Sequence, residues 1–212
     1  EDDFVLLQET KLHKESARKV AGGTARRMGW NHCLGLAHRT CGYSGSGGCG
    51  VLARKGTGIS DKFNSLIPEN VAHRICIAWV SAVAKGGCYM ISVYLKDSVG
   101  MNAENQLVCE NVAAAVRSLE GPCVMAGDWN MEPDMFAESG FLGMVNGTIF
   151  APSLPTCNGM KFDFFVVTNN FAHAVAGVQR IEGVGTQPHF PSRLLLRGDG
   201  RRFMVRNLVR SK

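Results

Sequence analysis

Apolar and polar positions along the chain alternate between two rhythms, one of period two and one near 3.6 residues. Residues 4–7 are a short apolar run that gives way to Gln8-Glu9-Thr10, the pattern of a buried strand delivering polar side chains at its carboxyl end. Residues 16–28 place Ala17, Val20, Ala21, Ala25 and Met28 near helical spacing, although Gly22-Gly23 weakens that helix. Residues 75–84 and 88–94 flank Lys85-Gly86-Gly87 and predict a hairpin. The strongest helix covers residues 102–119, with Leu107, Val108, Val112, Ala115, Val116 and Leu119 on one face and Gly121-Pro122 as its stop. A buried strand at 123–126 follows directly. Residues 162–167, 174–181, 193–196 and 203–209 predict further strands, the last two around a Gly198-Asp199-Gly200 turn.

Strands outnumber helices, no segment repeats, and no Pro- or Ser-rich linker divides the chain, so residues 1–212 are expected to form a single α/β domain with mixed sheets. Composition agrees: 212 residues, 45% hydrophobic and 19% charged, suffice for one sizeable core and exclude wholesale disorder. No apolar run approaches the roughly 20 residues that cross a bilayer, so a membrane is not an expected partner.

Charge sharpens the picture. Basic residues outnumber acidic ones nine to five in residues 1–60 and nine to three in 161–212, whereas acidic residues lead ten to five in 61–160. Basic flanks around an acidic middle suit a protein that attracts a polyanion and holds cations centrally. The terminal series Arg193, Arg197, Arg201, Arg202, Arg206, Arg210 and Lys212 offers contacts to a nucleic-acid backbone, or the exposed face of a hairpin. Four of the eight cysteines, Cys76, Cys88, Cys109 and Cys123, sit in apolar periodic segments and behave as small hydrophobes. That usage predicts a reducing, intracellular compartment. Cys33, Cys41 and Cys49 near His32 and His38 lack the paired spacing of a zinc site. The glycine-rich stretch 42–50 lacks the Gly-Lys-Ser/Thr of a phosphate loop and reads as a flexible connection.

Three segments carry candidate chemistry. Glu9 ends a strand, where a carboxylate can reach a hard cation. Gly127-Asp128-Trp129-Asn130 leaves a strand sharply, and a carboxylate and a carboxamide two residues apart can point into one cavity. Asp163 sits in an aromatic and β-branched strand where an unpaired carboxylate is costly, and His189 is its leading partner, as an imidazole that Asp163 would orient.

Taken in order, these segments resemble the endonuclease/exonuclease/phosphatase superfamily, which includes abasic-site endonucleases and the endonuclease domains of non-LTR retroelements. Leu6-Leu7-Gln8-Glu9-Thr10 resembles its metal-glutamate motif, Gly47-Gly48-Cys49-Gly50-Val51 its glycine-led strand entry, and Ser92-Val93-Tyr94 its tyrosine strand. Gly127-Asp128-Trp129-Asn130 resembles its aspartate-and-asparagine motif, Pro155-Thr156-Cys157 with Phe162-Asp163-Phe164 its substrate loop and orienting aspartate, and His189-Phe190-Pro191 its histidine segment. The resemblance implies a four-layer α/β/β/α sandwich of two mixed sheets with outer helices. It also implies a magnesium-dependent phosphodiesterase, with manganese as a substitute, that nicks DNA through its phosphate backbone. Glu9 would be the metal ligand, Tyr94 a phosphate contact, Asp128 and Asn130 the pair that positions water, and Asp163 with His189 a dyad. A reverse transcriptase domain outside this chain and a nuclear location belong to the same expectation. Two departures accompany it. Pro188 stands where the family carries an aspartate before the histidine, and its side chain supplies no ligand. The family's upstream strand, which ends in a site asparagine, has no counterpart here, so the fold is expected to lack its first strand. These departures motivate an alternative, a degenerate relative that only binds nucleic acid; a second alternative is a phosphomonoester or phosphoinositide phosphatase on the same fold.

Overall fold

The computed structural model describes residues 2–40, 45–183 and 186–197. Its strands, in chain order, are β1 (Phe4–Leu7), β2 (Trp30–Leu34), β3 (His38–Arg39), β4 (Gly45–Ser46), β5 (Gly50–Arg54), β6 (Ile59–Ser60) and β7 (Ile75–Val80). They continue with β8 (Cys88–Tyr94), β9 (Cys123–Asp128), β10 (Gly147–Phe150), β11 (Asp163–Thr168), β12 (Val175–Arg180) and β13 (Ser192–Leu196). The α-helices are α1 (Glu15–Arg27), α2 (Ala103–Ser118), α3 (Pro133–Ala137), α4 (Phe141–Val145) and α5 (Asn169–Ala172). The predicted strand at 203–209, the turn at 198–200 and the arginines from Arg201 onward lie outside the described residues, as does Cys41.

The near-continuous apolar runs of β7, β8, β9 and β11 mark strands buried on both faces. Period two splits their side chains between two cores. Ile75, Ile77, Ile91, Val93, Met125, Phe164 and Val166 enter the core under α2, α3 and α4. Cys76, Ala78, Met90, Val124, Phe165 and Val167 enter the other, with Val51 and Ala53 of β5 and partly buried Leu194 and Leu196 of β13. These strands belong to a six-stranded sheet ordered β10-β11-β9-β8-β7-β6, and β1-β5-β2 form a three-stranded sheet. The only parallel pairing among the described strands is β8 with β9. Helix α2 makes the crossover that such a pair requires. The three-stranded sheet and the β12–β13 hairpin are antiparallel.

The predicted helix at 102–119 becomes α2, whose amino end is capped by the Asn102 side chain accepting from Asn105 N. Leu107, placed on its apolar face by spacing, is instead exposed. The helix at 16–28 also forms, but its apolar face differs from the expected one. Val20 and Met28 are both 68% exposed, and the residue α1 buries is Gly22. A Cβ on Gly22 would lie 2.5 Å from His32 Nε2, so the absence of a side chain is what seats α1 against β2. Strands β2 and β10 form where no strand was expected. The seven described cysteines are free and buried, as Cys76, Cys88, Cys109 and Cys123 were expected to be as small hydrophobes. Among the described residues, no helix is long and apolar enough to cross a membrane.

Candidate active site

Strand register assembles the centre of the site. In the parallel β8–β9 pair Tyr94 stands beside Asp128, and in the antiparallel β9–β11 pair Asp128 stands beside Asp163. Tyr94, Asp128 and Asp163 therefore form one row across three adjacent strands. Parity along each strand turns all three toward the three-stranded sheet, the side reached by Val124, Ala126, Phe165 and Val167. Gly127 is required beside that row, because a Cβ there would meet Trp129 Cε2 at 2.6 Å. Trp129 is fully buried, donates Nε1–H to Phe164 O at 3.0 Å and packs on Phe136, Phe141 and Phe164, anchoring the turn that follows Asp128.

Strand β1 delivers Glu9 from the other sheet. Gln8 Nε2 donates to Ser92 Oγ (2.9 Å) and Ala126 O (3.2 Å), and Ser92 Oγ donates to Leu7 O (2.7 Å), which ties the end of β1 to β8 and β9. Glu9 itself has φ 50°. The backbone after it is held by Gly47 and Gly48, whose carbonyls accept from Lys11 N and Thr10 N, both at 3.0 Å. Both glycines have positive φ, and a Cβ on Gly48 would meet Thr10 Oγ1 at 2.4 Å. The glycine-led segment is thus a brace for the Glu9 turn rather than a loose connection. Burial, and after it a hydrogen bond to the Glu9 carboxylate and that carboxylate's charge, push the Tyr94 phenol pKa upward.

His189 comes from the segment before β13. Its Nδ1 lies 2.9 Å from Asp163 Oδ2, and its Nε2 lies 4.0 Å from Asp128 Oδ2. Thr156 is buried and braces this dyad: its Oγ1 accepts from Asp163 N (3.0 Å) and its carbonyl from Phe190 N (2.7 Å). The hydrogen bond to Asp163 raises the imidazole pKa, with burial opposing. Burial and the neighbouring Asp163 carboxylate lift Asp128 to about 7, with partial relief from His189. Asn130 follows at φ 49°, with its Nδ2 committed to Leu95 O at 2.8 Å. Arg193, assigned to a basic surface by sequence, is paired with Asp2, Nε to Oδ1 at 2.8 Å.

Asp128, Asp163 and His189 each offer one ligand atom, and these atoms lie within 4.8 Å of one another. Glu9, the ligand expected from the sequence, is not one of the three. Its carboxylate is 39% exposed, with Lys11 Nζ at 3.7 Å. The two carboxylates of this cluster, with Glu9 supplied from the facing sheet, are oxygen donors of the kind that suits a hard divalent cation. Sequence reasoning missed Gln8, Ser92 and Thr156 as supports.

Against this geometry the sequence profile described as the Endonuclease/Exonuclease/phosphatase family matches residues 1–192. The chain belongs to that family. No curated protein matches the sequence. Solved structures share its α/β fold. The endonuclease domain of TRAS1, a telomere-specific non-LTR retrotransposon, superposes with a TM-score of 0.63 at 12% identity, covering 92% of this chain and 98% of that one. The AP endonuclease LMAP from Leishmania major gives 0.66 at 14% identity, covering 92% and 78%. The 3′ phosphatase NExo (D146N) from Neisseria, bound to a product DNA hairpin, gives 0.62 at 17% identity, covering 92% and 88%. These likenesses carry the fold alone; the reaction and the substrate are separate questions.

Proposed function

We propose that the protein is a DNA-nicking phosphodiesterase of the retroelement type. The observation that carries this reading is the Asp163–His189 hydrogen bond of 2.9 Å, set beside Asp128 at a strand end with Glu9 supplied from the facing sheet. Asp163 accepts from Nδ1–H and holds His189 with Nε2 turned toward the Asp128 side, where the imidazolium would donate to a phosphate oxygen. Asp128, poised near neutral pH, would take a proton from the attacking water, with Asn130 as its neighbour in positioning that water. Tyr94 would donate its phenol hydrogen to another phosphate oxygen. In-line attack would break the bond to the 3′ oxygen, which would leave with the electron pair and take a proton from solvent, giving a 3′-hydroxyl and a 5′-phosphate. Glu9 would hold magnesium or manganese, with Asp128 near by, and the cation would neutralise charge developing on the phosphate. A nuclear location and a reverse transcriptase domain outside this chain accompany the retroelement reading.

The TRAS1 domain and the DNA-bound Neisseria enzyme support DNA as the substrate. Pro188 favours a second reading, a relative that binds DNA without cutting it, since the residue before His189 brings no side-chain oxygen. Supercoiled plasmid incubated with the protein in magnesium and in chelator separates the possibilities. Nicking in magnesium alone is the expected result. DNA binding without nicking selects the degenerate relative, and release of phosphate from soluble phosphomonoesters or phosphoinositides, with plasmid untouched, selects a phosphatase.

A further inference from the structure

Arg74 is the last residue of a single 3₁₀ turn, Ala72–Arg74, directly before β7. Arginine at such a place is normally solvated, yet this residue is only 4% exposed. Its Nη2 donates to Glu104 Oε1 at 2.9 Å, whereas Nε and Nη1 are buried with no hydrogen-bond partner. A buried cation with two unpartnered nitrogens is costly, and an apolar side chain of similar length would serve packing as well or better. The Glu104 pair does not account for the charge. Glu104 is 41% exposed and also serves Lys96 at 2.8 Å, so water and a second cation screen it.

What the guanidinium does face is the Tyr94 ring, whose centroid lies 5.2 Å from Arg74 Cζ. Cation and ring are both buried, the setting in which cation–π attraction is strongest. The turn that bears Arg74 is also fastened to the other half of the site. Gly48 N donates to His73 O at 2.6 Å, and the Gly47 and Gly48 carbonyls hold the backbone just after Glu9. Burial and the Arg74 charge push neighbouring His73 down to about 4.

We infer that Arg74 is a positioning residue for Tyr94: its buried guanidinium lies against the ring face and fixes the orientation that presents the phenol to the phosphodiester oxygen between Glu9 and Asp128. The inference rests on the phosphodiesterase reading only for what Tyr94 acts upon; the orienting of the ring is independent of it.

Two measurements on the full chain test this. In plasmid nicking, Arg74→Met is expected to lower kcat about 10- to 100-fold with KM nearly unchanged, Arg74→Lys to restore most of the rate, and Arg74→Met to add no further loss in a Tyr94→Phe background. An equal loss in both backgrounds would reduce Arg74 to a packing element. The second readout needs no activity. The chain has three tyrosines, so 3-fluorotyrosine labelling gives three ¹⁹F resonances that tyrosine-to-phenylalanine variants assign. Arg74→Met should move the Tyr94 resonance and leave that of Tyr89 in place, and an unmoved Tyr94 resonance overturns the inference. If the wild type cuts no phosphodiester, the functional reading fails and the fluorine shift alone decides the role of Arg74. Should Arg74→Met not fold, Arg74→Gln replaces it in both arms.

Discussion

Replacing Asp128 with asparagine is expected to stabilise the metal-free protein at neutral and alkaline pH, although it removes a group placed in the chemistry. The carboxyl is 6% exposed, and burial with the Asp163 charge raises it from 3.8 to about 7. Below pH 4 the folded and unfolded states both carry the proton, so Asp128 adds no pH dependence there. Between about 4 and 7 the folded state holds a proton that the unfolded state has lost, and wild-type stability falls as pH rises, by about 1.4 kcal/mol per unit at most. Above about 7 both states are ionised and the loss is complete. A shift of roughly three units, in which the attraction of His189 at 4.0 Å is already included, corresponds to about 4 kcal/mol. Asparagine keeps an oxygen for Asn130 N, which lies 3.3 Å from Asp128 Oδ1, and carries no charge. Urea unfolding in chelator at pH 5, 6, 7 and 8 should show the variant gaining on wild type step by step. A variant equal to or weaker than wild type at pH 8 would refute the claim that Asp128 is held ionised at a cost.

Three further outcomes follow from the geometry. Asp163→Asn should lower nicking about 10²- to 10⁴-fold in single-turnover assays, because His189 Nδ1 loses its anionic acceptor and the raised imidazole pKa falls back, which moves the alkaline limb of the rate profile, where the imidazolium is lost, to lower pH. Pro188→Asp should tighten magnesium binding about tenfold by calorimetry, by adding an oxygen donor beside His189; unchanged affinity would place the cation away from the histidine. Trp129→Ala should cost about 3–5 kcal/mol in urea unfolding by opening the cluster with Phe136, Phe141 and Phe164.

How much could be read beforehand depended on which forces each segment obeys. β7, β8, β9 and β11 were legible because burial on two faces leaves an unbroken apolar run, and α2 because one face is buried and Asn102 caps it. β2 was hidden: its Trp30-Asn31-His32-Cys33-Leu34 sequence mixes polar and apolar residues, and Asn31 is satisfied by Thr57 O, a partner that only the folded chain supplies. The buried stripe of α1 was misread for a related reason, since the residue that packs is a glycine facing His32. In the site, Asp128, Asp163 and His189 were recognisable by residue type and order, and the structure brings them together. Thr156 stood in a recognisable segment, but its bracing of the Asp163 and Phe190 backbone could not be read there, and Arg74 carried no local signal because it acts through a ring twenty residues away.

The row of Tyr94, Asp128 and Asp163 also determines how this protein can change over time. Slipping either strand pairing by one residue would turn those side chains out of the site and, with them, both hydrophobic cores inside out. Selection for folding alone therefore preserves the placement of that row, even in a copy no longer needed for catalysis. The segment around Pro188 and His189 has no such protection, because little of the core depends on it. Drift would reach the histidine loop first, so a lineage could lose catalysis there while the rest of the site stays in register, and a few substitutions in one loop would be enough to recover it.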